Sequence, residues 1–173
     1  MSLLYNISNS GKEKELDIQA LLAPIRLEGI GTAIICGLII GLERQLSGKP
    51  TGIRTSSLIC LGTYIFVSVS QLVQGPNVDP GRIVGQVITG IGFIGAGVIL
   101  TRQGAVVGVT SASVIWILAG IGLLIGFGKY MTSILLSVLT VGILLGVNLL
   151  ETTFVALRKG IYAKFVSHKK KED

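Results

Sequence analysis

Charged side chains are scarce in this chain. They make up 14% of its 173 residues, whereas a soluble domain typically carries about 25%. The carboxylates nearest to the long apolar segments, Glu28, Glu43, Asp79 and Glu151, all fall at segment ends. Proton pumps and cation carriers usually place ionisable groups at mid-depth in the membrane. The deficit therefore argues against a soluble domain and also weakens the case for a cation carrier.

Cysteine and histidine are almost absent. The two cysteines, Cys36 and Cys60, each lie inside an apolar segment, and the one histidine, His168, lies in a polar tail. Without further ligands at suitable spacing they form no metal motif, and buried cysteines of this kind act as small apolar residues. The sequence therefore predicts that the protein binds no metal and no cofactor. It also predicts no enzymatic activity, because an enzyme acting on lipid headgroups would need a nucleophile and a base, and the sequence shows no such pair.

Long apolar segments make up most of what remains. They cover roughly residues 27–43, 55–73, 83–101, 110–126 and 131–150. A helix of such length crosses the hydrocarbon core of a bilayer. We predict an all-α polytopic membrane protein, a compact glycine-rich bundle of five transmembrane helices over residues 27–150. Residues 1–26 would form a polar segment with a short interfacial helix ending near Pro24, and residues 151–173 a basic cytoplasmic tail.

The basic residues are distributed unequally between the two sides of this predicted bundle. The side that holds loops 44–54 and 102–109 and the tail carries ten lysines and arginines, and the other side carries five. Because positive charge stays inside, the C-terminus should be cytoplasmic and the N-terminus outside. The net charge of +6 then serves orientation and contact with anionic lipid, and we predict no binding of nucleic acid.

A G-x-G-x-x-G pattern stands at Gly90, Gly92 and Gly95. As a dinucleotide fingerprint it would need a preceding strand and a solvated helix, but here it lies inside an uncharged apolar run. Glycines in membrane helices let backbones approach closely. Small-xxx-small pairs recur in the chain and serve either packing within the chain or homodimerisation: Gly37/Gly41, Gly81/Gly85, Gly122/Gly126 and Gly142/Gly146. The glycines predicted to pack helices are Gly37, Gly41, Gly90, Gly92, Gly95 and Gly97.

The third apolar segment carries polar residues on one helical face. Asp79 is suited to cap the helix, and Arg82, Gln86 and Thr89 follow at helical spacing. Gln86 and Thr89 would be costly against lipid, so we expect them to point into the bundle. There they would either form hydrogen bonds between helices or line a polar cavity.

The segment from Glu43 to Thr55 gathers Arg44, Lys49 and Arg54 with two glycines and a proline. To orient the chain across the membrane, only the basic residues would be needed. The glycine–proline composition also predicts a fixed loop shape. Such a loop could hold a phosphate, a lipid headgroup or an acidic protein segment.

Three blocks together resemble the MgtC/SapB family: GLERQLSGKPTGIRTSSLICLG (41–62), DPGRIVGQVITGIGFIGAGVIL (79–100) and GVTSASVIWILAGIG (108–122). Their order and spacing match. The family pattern emphasises positions that correspond here to Glu43, Arg44, Lys49, Pro50, Gly52, Arg54, Thr55, Asp79, Arg82, Gln86, Gly90–Gly97 and Trp116.

The chain departs from that pattern in three places. Ser56 stands where the family often has histidine, and Thr110-Ser111-Ala112-Ser113 stands where it often has T-T-A-A. Only about twenty residues follow the last segment, whereas longer members carry a soluble ACT-like domain. A role tied to that histidine or that domain does not transfer.

The resemblance implies a bacterial inner-membrane protein linked to growth at low magnesium and, in some members, to virulence. It implies action on membrane partners, including the F-type ATP synthase, without enzymatic activity. We therefore expect a regulator in contact with the lipid bilayer and a membrane-protein partner, with homo-oligomers possible. The alternative is a small-solute or magnesium-related transporter or channel subunit, with a path lined by Gln86, Thr89 and Asn148.

Overall fold

The computed structural model describes residues 23–73, 79–102 and 105–153. The predicted interfacial helix near Pro24 and most of the predicted basic tail lie outside these ranges. The elements in chain order are α1 (Leu27–Leu46), α2 (Ile53–Ser70), α3 (Pro80–Ala96), β1 (Leu100–Arg102), β2 (Ala105–Val107), α4 (Val109–Gly126) and α5 (Tyr130–Thr153).

The all-α class is confirmed, because the five described helices follow the five apolar segments closely. Among the residues that the structure describes, three helical stretches are long and apolar enough to cross a membrane: Ile53–Ser70, Val109–Gly126 and Tyr130–Leu150. The other two helices differ for separate reasons. α1 carries charges near both ends, and α3 has only 17 residues.

The third apolar segment, 83–101, is not one continuous helix as predicted. α3 ends at Ala96, and the next amides bond back in tight turns, with Val98 N–H donating to the Gly95 carbonyl at 3.3 Å. β1 then pairs with β2 in an antiparallel hairpin in which Leu100 faces Val107. Residues 102–109 were expected to form a loop, and this hairpin was not predicted.

α4 is the central helix of the bundle, since it contacts each of the other four. Its side chains at Val114, Ile115, Leu118 and Ile121 are at most 2% exposed. They join buried residues of α1 and α2 in one apolar cluster that includes Ala33, Cys36, Ile40, Ile59, Cys60 and Tyr64. α5 packs on α1 and α4.

Glycines let α1 and α2 lie very close together. A Cβ atom at Gly37 would overlap the backbone of Ser57, and one at Gly41 would lie 2.6 Å from the Cα atom of Ile53. Real Cβ atoms do not approach so closely, so a larger residue would push the two helices apart. Gly122 has the same role between α4 and α2, where a Cβ atom would meet the Cys60 carbonyl at 2.7 Å.

The glycines of α3 behave differently. Gly95 packs on α4, where an added Cβ atom would lie 3.6 Å from the Ala112 carbonyl oxygen. A Cβ atom added at Gly90 or Gly92 would have no described atom of another element within 4 Å, and one added at Gly97 would meet only carbonyls of the last turn of α3. The described chain therefore provides no helix for these three to pack against, because α4 lies on the face of α3 that carries Gly95.

We expect Gly37→Ala to lower the free energy of unfolding by about 1–3 kcal/mol, since the added methyl group overpacks the α1–α2 contact. Thermal unfolding in mild detergent, followed by circular dichroism, measures the change. Gly31→Ala is the matched control on the same helix: nothing lies within 4 Å of its added carbon, and alanine favours helix. Equal losses in both variants would contradict the close-contact interpretation.

Candidate functional site

Glu43 and Arg44 form a buried ion pair at the end of α1. The Arg44 Nε atom lies 2.7 Å from Glu43 Oε2 and its Nη2 atom 3.0 Å from Oε1. Ser47 Oγ donates a third hydrogen bond to Oε1 at 2.9 Å. Both side chains are under 10% exposed. A paired arrangement of this kind offsets the cost of desolvating each charge, which a single buried charge would carry in full. The two charges of this pair cancel within the fold, which gives the pair a structural role.

Backbone and side-chain contacts fix the loop between α1 and α2. The Lys49 amide donates to the Arg44 carbonyl at 2.9 Å, and Gly48 adopts a left-handed φ of 62°. Thr51 also has a positive φ, 72°, and its carbonyl accepts a 2.9 Å hydrogen bond from Ser56 Oγ. A threonine in this region carries strain that surrounding contacts must offset. The loop therefore presents its side chains in a defined arrangement.

Lys49 and Arg54 are the exposed cations of this loop. Unlike Arg44, neither forms an ion pair within the described residues. Arg54 stands in the first turn of α2, where Gly52 supplies no side-chain cap, and the amides of a helix start favour anionic groups. We call residues 43–55 the basic loop. Its chemistry suits a phosphate or carboxylate group held at the surface.

Asp79 and Arg82 lie at the opposite end of the bundle from the basic loop. Asp79 Oδ1 accepts a 2.8 Å hydrogen bond from the Gly81 amide and so caps α3, while Arg82 is exposed in the first turn. The start of α3 meets the end of α2, where Gln71 Nε2 donates to the Gly126 carbonyl at 2.8 Å. The structure therefore places the start of α3, with Asp79 and Arg82, far from the basic loop, and the two predicted groups of functional residues do not form one site.

Gln86 and Thr89 are exposed, contrary to the expectation that they point into the bundle. Thr89 Oγ1 donates to the Gly85 carbonyl of its own helix at 2.8 Å. α3 packs through Val87, Ile91 and Gly95, which helical geometry places opposite Gln86 and Thr89. Asn148 on α5 is exposed as well.

Sequence reasoning missed a cavity of about 670 Å³ at the end of the bundle near Asp79. Its walls include Arg26, Tyr64 and Tyr130 together with apolar residues of α2, α3 and α4. Tyr64 holds the start of α1: its hydroxyl accepts from the Arg26 amide at 2.7 Å and donates to the Arg26 carbonyl at 3.0 Å. Tyr130, which immediately precedes the last apolar segment, was the available sequence signal.

Within the described residues, no three side chains of histidine, cysteine, aspartate or glutamate stand close enough together to hold a metal ion. Cys36 and Cys60 are both buried and free.

The chain was compared with known proteins. Three curated relatives are a protein named "Putative magnesium transporter YhiD" from Escherichia coli K12, an uncharacterized protein from Haemophilus influenzae Rd and "Protein MgtC" from Salmonella typhimurium 14028s. The first is 46% identical over 119 residues, 65% of this chain and 55% of the relative. The second is 40% identical over 116 residues, 62% and 49%, and the third 41% identical over 98 residues, 57% and 42%.

The chain spans about half the length of these curated relatives. No solved structure matches it. The model of the MgtC family matches residues 30–153, a range that contains all five helices except the first turn of α1. The chain belongs to the MgtC family.

Proposed function

We propose that this chain is a non-enzymatic protein of the bacterial inner membrane that adapts the cell to low magnesium by acting on a membrane partner. Membership of the MgtC family and the magnesium-related name of one relative support the link to magnesium. A regulator acts by binding, so its function needs a presented surface and no reacting group.

The basic loop carries this proposal. Its one acidic side chain, Glu43, is buried in the ion pair with Arg44. The loop therefore has no exposed carboxylate to neutralise Lys49 and Arg54. The strained and hydrogen-bonded backbone fixes the positions from which both side chains extend before any ligand arrives. A preorganised surface loses less entropy on binding than a mobile one. An acidic segment of a membrane protein is the ligand that we propose, and the F-type ATP synthase is the candidate partner.

The proposal includes five membrane spans, with the N-terminus outside and the C-terminus in the cytoplasm. The ten-to-five distribution of basic residues supports this orientation. It places the basic loop in the cytoplasm and the cavity near Arg26 on the outer side.

This orientation predicts that a cysteine at the exposed position 49, introduced as Lys49→Cys, stays unlabelled by an impermeant thiol reagent in intact spheroplasts. Labelling should appear after the membrane is opened. Lys129→Cys, an exposed position at the other end of the bundle, should react in intact spheroplasts. The reverse pattern would overturn the orientation.

For function, Lys49→Ala and Arg54→Ala should each reduce growth of a deletion strain at low magnesium, because each removes one of the two exposed cations of the basic loop. The loss should be at least severalfold in growth yield while the amount of protein in the membrane stays the same. Lys129→Ala is the matched control, since it removes an exposed cation at the opposite end.

Full complementation by both loop variants would leave the basic loop as an orientation signal only. A loss of growth matched by a loss of protein from the membrane would likewise count against a binding role.

A magnesium-related transporter is the second candidate, favoured by the name of the Escherichia coli relative. Within one chain its expected path is poorly supported, because Gln86, Thr89 and Asn148 are all exposed. Transport predicts magnesium flux into proteoliposomes that falls with Gln86→Leu. Flux equal to that of empty vesicles would remove this candidate.

A further inference from the structure

The face of α3 that points away from the bundle is unusual for a surface against lipid. It carries Arg82, Gln86, Thr89 and Phe93, all exposed. The spacing of 4, 3 and 4 residues keeps them on one side of the helix. We call these four residues the outer face of α3. Phe93 is 86% exposed, although it belongs to an apolar helix in the middle of the chain.

Lipid is a poor neighbour for this face. The Gln86 amide has donors and an acceptor that hydrocarbon cannot satisfy, and leaving a polar group unpaired in an apolar medium costs several kcal/mol. Thr89 avoids that cost by bonding to the Gly85 carbonyl, whereas no hydrogen bond of this kind is made by Gln86 within the described residues. A protein surface that offers an amide partner would therefore be preferred over lipid at this position.

The flank of the same face is shaped for another helix. Gly85, Thr89, Gly92 and Ala96 follow one another at intervals of 4, 3 and 4 residues and are all exposed. Nothing in the described chain lies within 4 Å of an added carbon at Gly85 or Gly92. Small residues in this pattern allow two helix backbones to come into contact.

We propose that the outer face of α3 binds the same face of a second copy of this chain. The charges are self-complementary about a two-fold axis along the membrane normal. Arg82 of one copy comes beside Asp79 of the other, and the reverse pair forms at the same time. Both residues are exposed, and neither has an ion pair within the described residues.

The same symmetry satisfies Gln86. Two copies inserted in the same orientation place their Gln86 side chains at equal depth. An amide group both donates and accepts, so each Gln86 serves the other. A lone aspartate or lysine at this position could not do so. Phe93 then packs near the axis one to two turns further along, and its exposed ring is covered.

Disulfide cross-linking of the full chain in bacterial membranes tests this arrangement. Two copies with different epitope tags are expressed together, each carrying Thr89→Cys or Phe93→Cys. Cys36 and Cys60 are buried and stay unchanged. Leu135→Cys on α5, where the leucine is 68% exposed, is the matched control. We expect a product that carries both tags from the two α3 positions and none from the control.

A second variant separates the specific contact from chance collision. Adding Gln86→Leu to the Phe93→Cys background should lower the cross-linked fraction about three- to tenfold, the effect of losing one hydrogen bond between membrane helices. Arg82→Glu should lower it too, since it places like charges opposite Asp79. Leucine is more apolar than glutamine, so insertion is retained, and the amount of each variant in the membrane is measured alongside.

Cross-linking of Leu135→Cys as strong as that of Phe93→Cys would overturn the proposal. So would cross-linked products that each carry one tag and never both, because a different membrane protein would then cover the face. An unchanged cross-linked fraction in both Gln86→Leu and Arg82→Glu would also overturn it.

Discussion

The close contact between α1 and α2 is the constraint on which the rest of the structure depends. Gly37 and Gly41 bring the two backbones together, so a short loop can join their ends. That loop then lies against the last turn of α1, where the Lys49 amide reaches the Arg44 carbonyl. At the far end the same pairing lets Tyr64 of α2 bond both backbone groups of Arg26. α4 packs on the resulting pair and completes the apolar core.

The basic loop uses its charges in two different ways. Arg44 is turned inward and neutralised, and Lys49 and Arg54 are left at the surface. A sequence shows these as equivalent basic residues. Only the fold distinguishes a cation that is buried in an ion pair at the end of a helix from one that is left exposed. The distinction depends on Glu43 and Arg44 both turning their ionised groups to the buried side of α1.

Much of the fold follows from the sequence because apolar length and helix are linked in membrane proteins. The five segments, the Asp79 cap and the close packing at α1–α2 are all local or nearly local properties. The end of α3 at Ala96 is not predicted by the sequence, because residues 97–101 remain apolar after the helix stops. Their pairing with Ala105–Val107 depends on a partner strand, which hydrophobicity does not reveal.

The polar face of α3 points away from the bundle, whereas the sequence predicts that it points inward, and the reason is related. Sequence reasoning assumed that a polar residue in a membrane helix points toward its own bundle. Here Val87, Ile91 and Gly95 supply the contact with α4, so the apolar side of α3 packs and its polar side stays exposed. The rule that polar groups avoid lipid can still hold for α3, but at the level of an assembly of chains.

The unequal lengths of the helices have a consequence for the surrounding bilayer. α3 measures about 25 Å and α5 about 36 Å at the usual rise of an α-helix, and both pack on α4. With α3 as one of the five proposed spans, the bilayer would be thinner beside α3 than beside α5, at a modest cost for each ångström of mismatch. Membrane thickness would then act unevenly around this protein, and regions of thin bilayer would favour the edge where α3 is exposed.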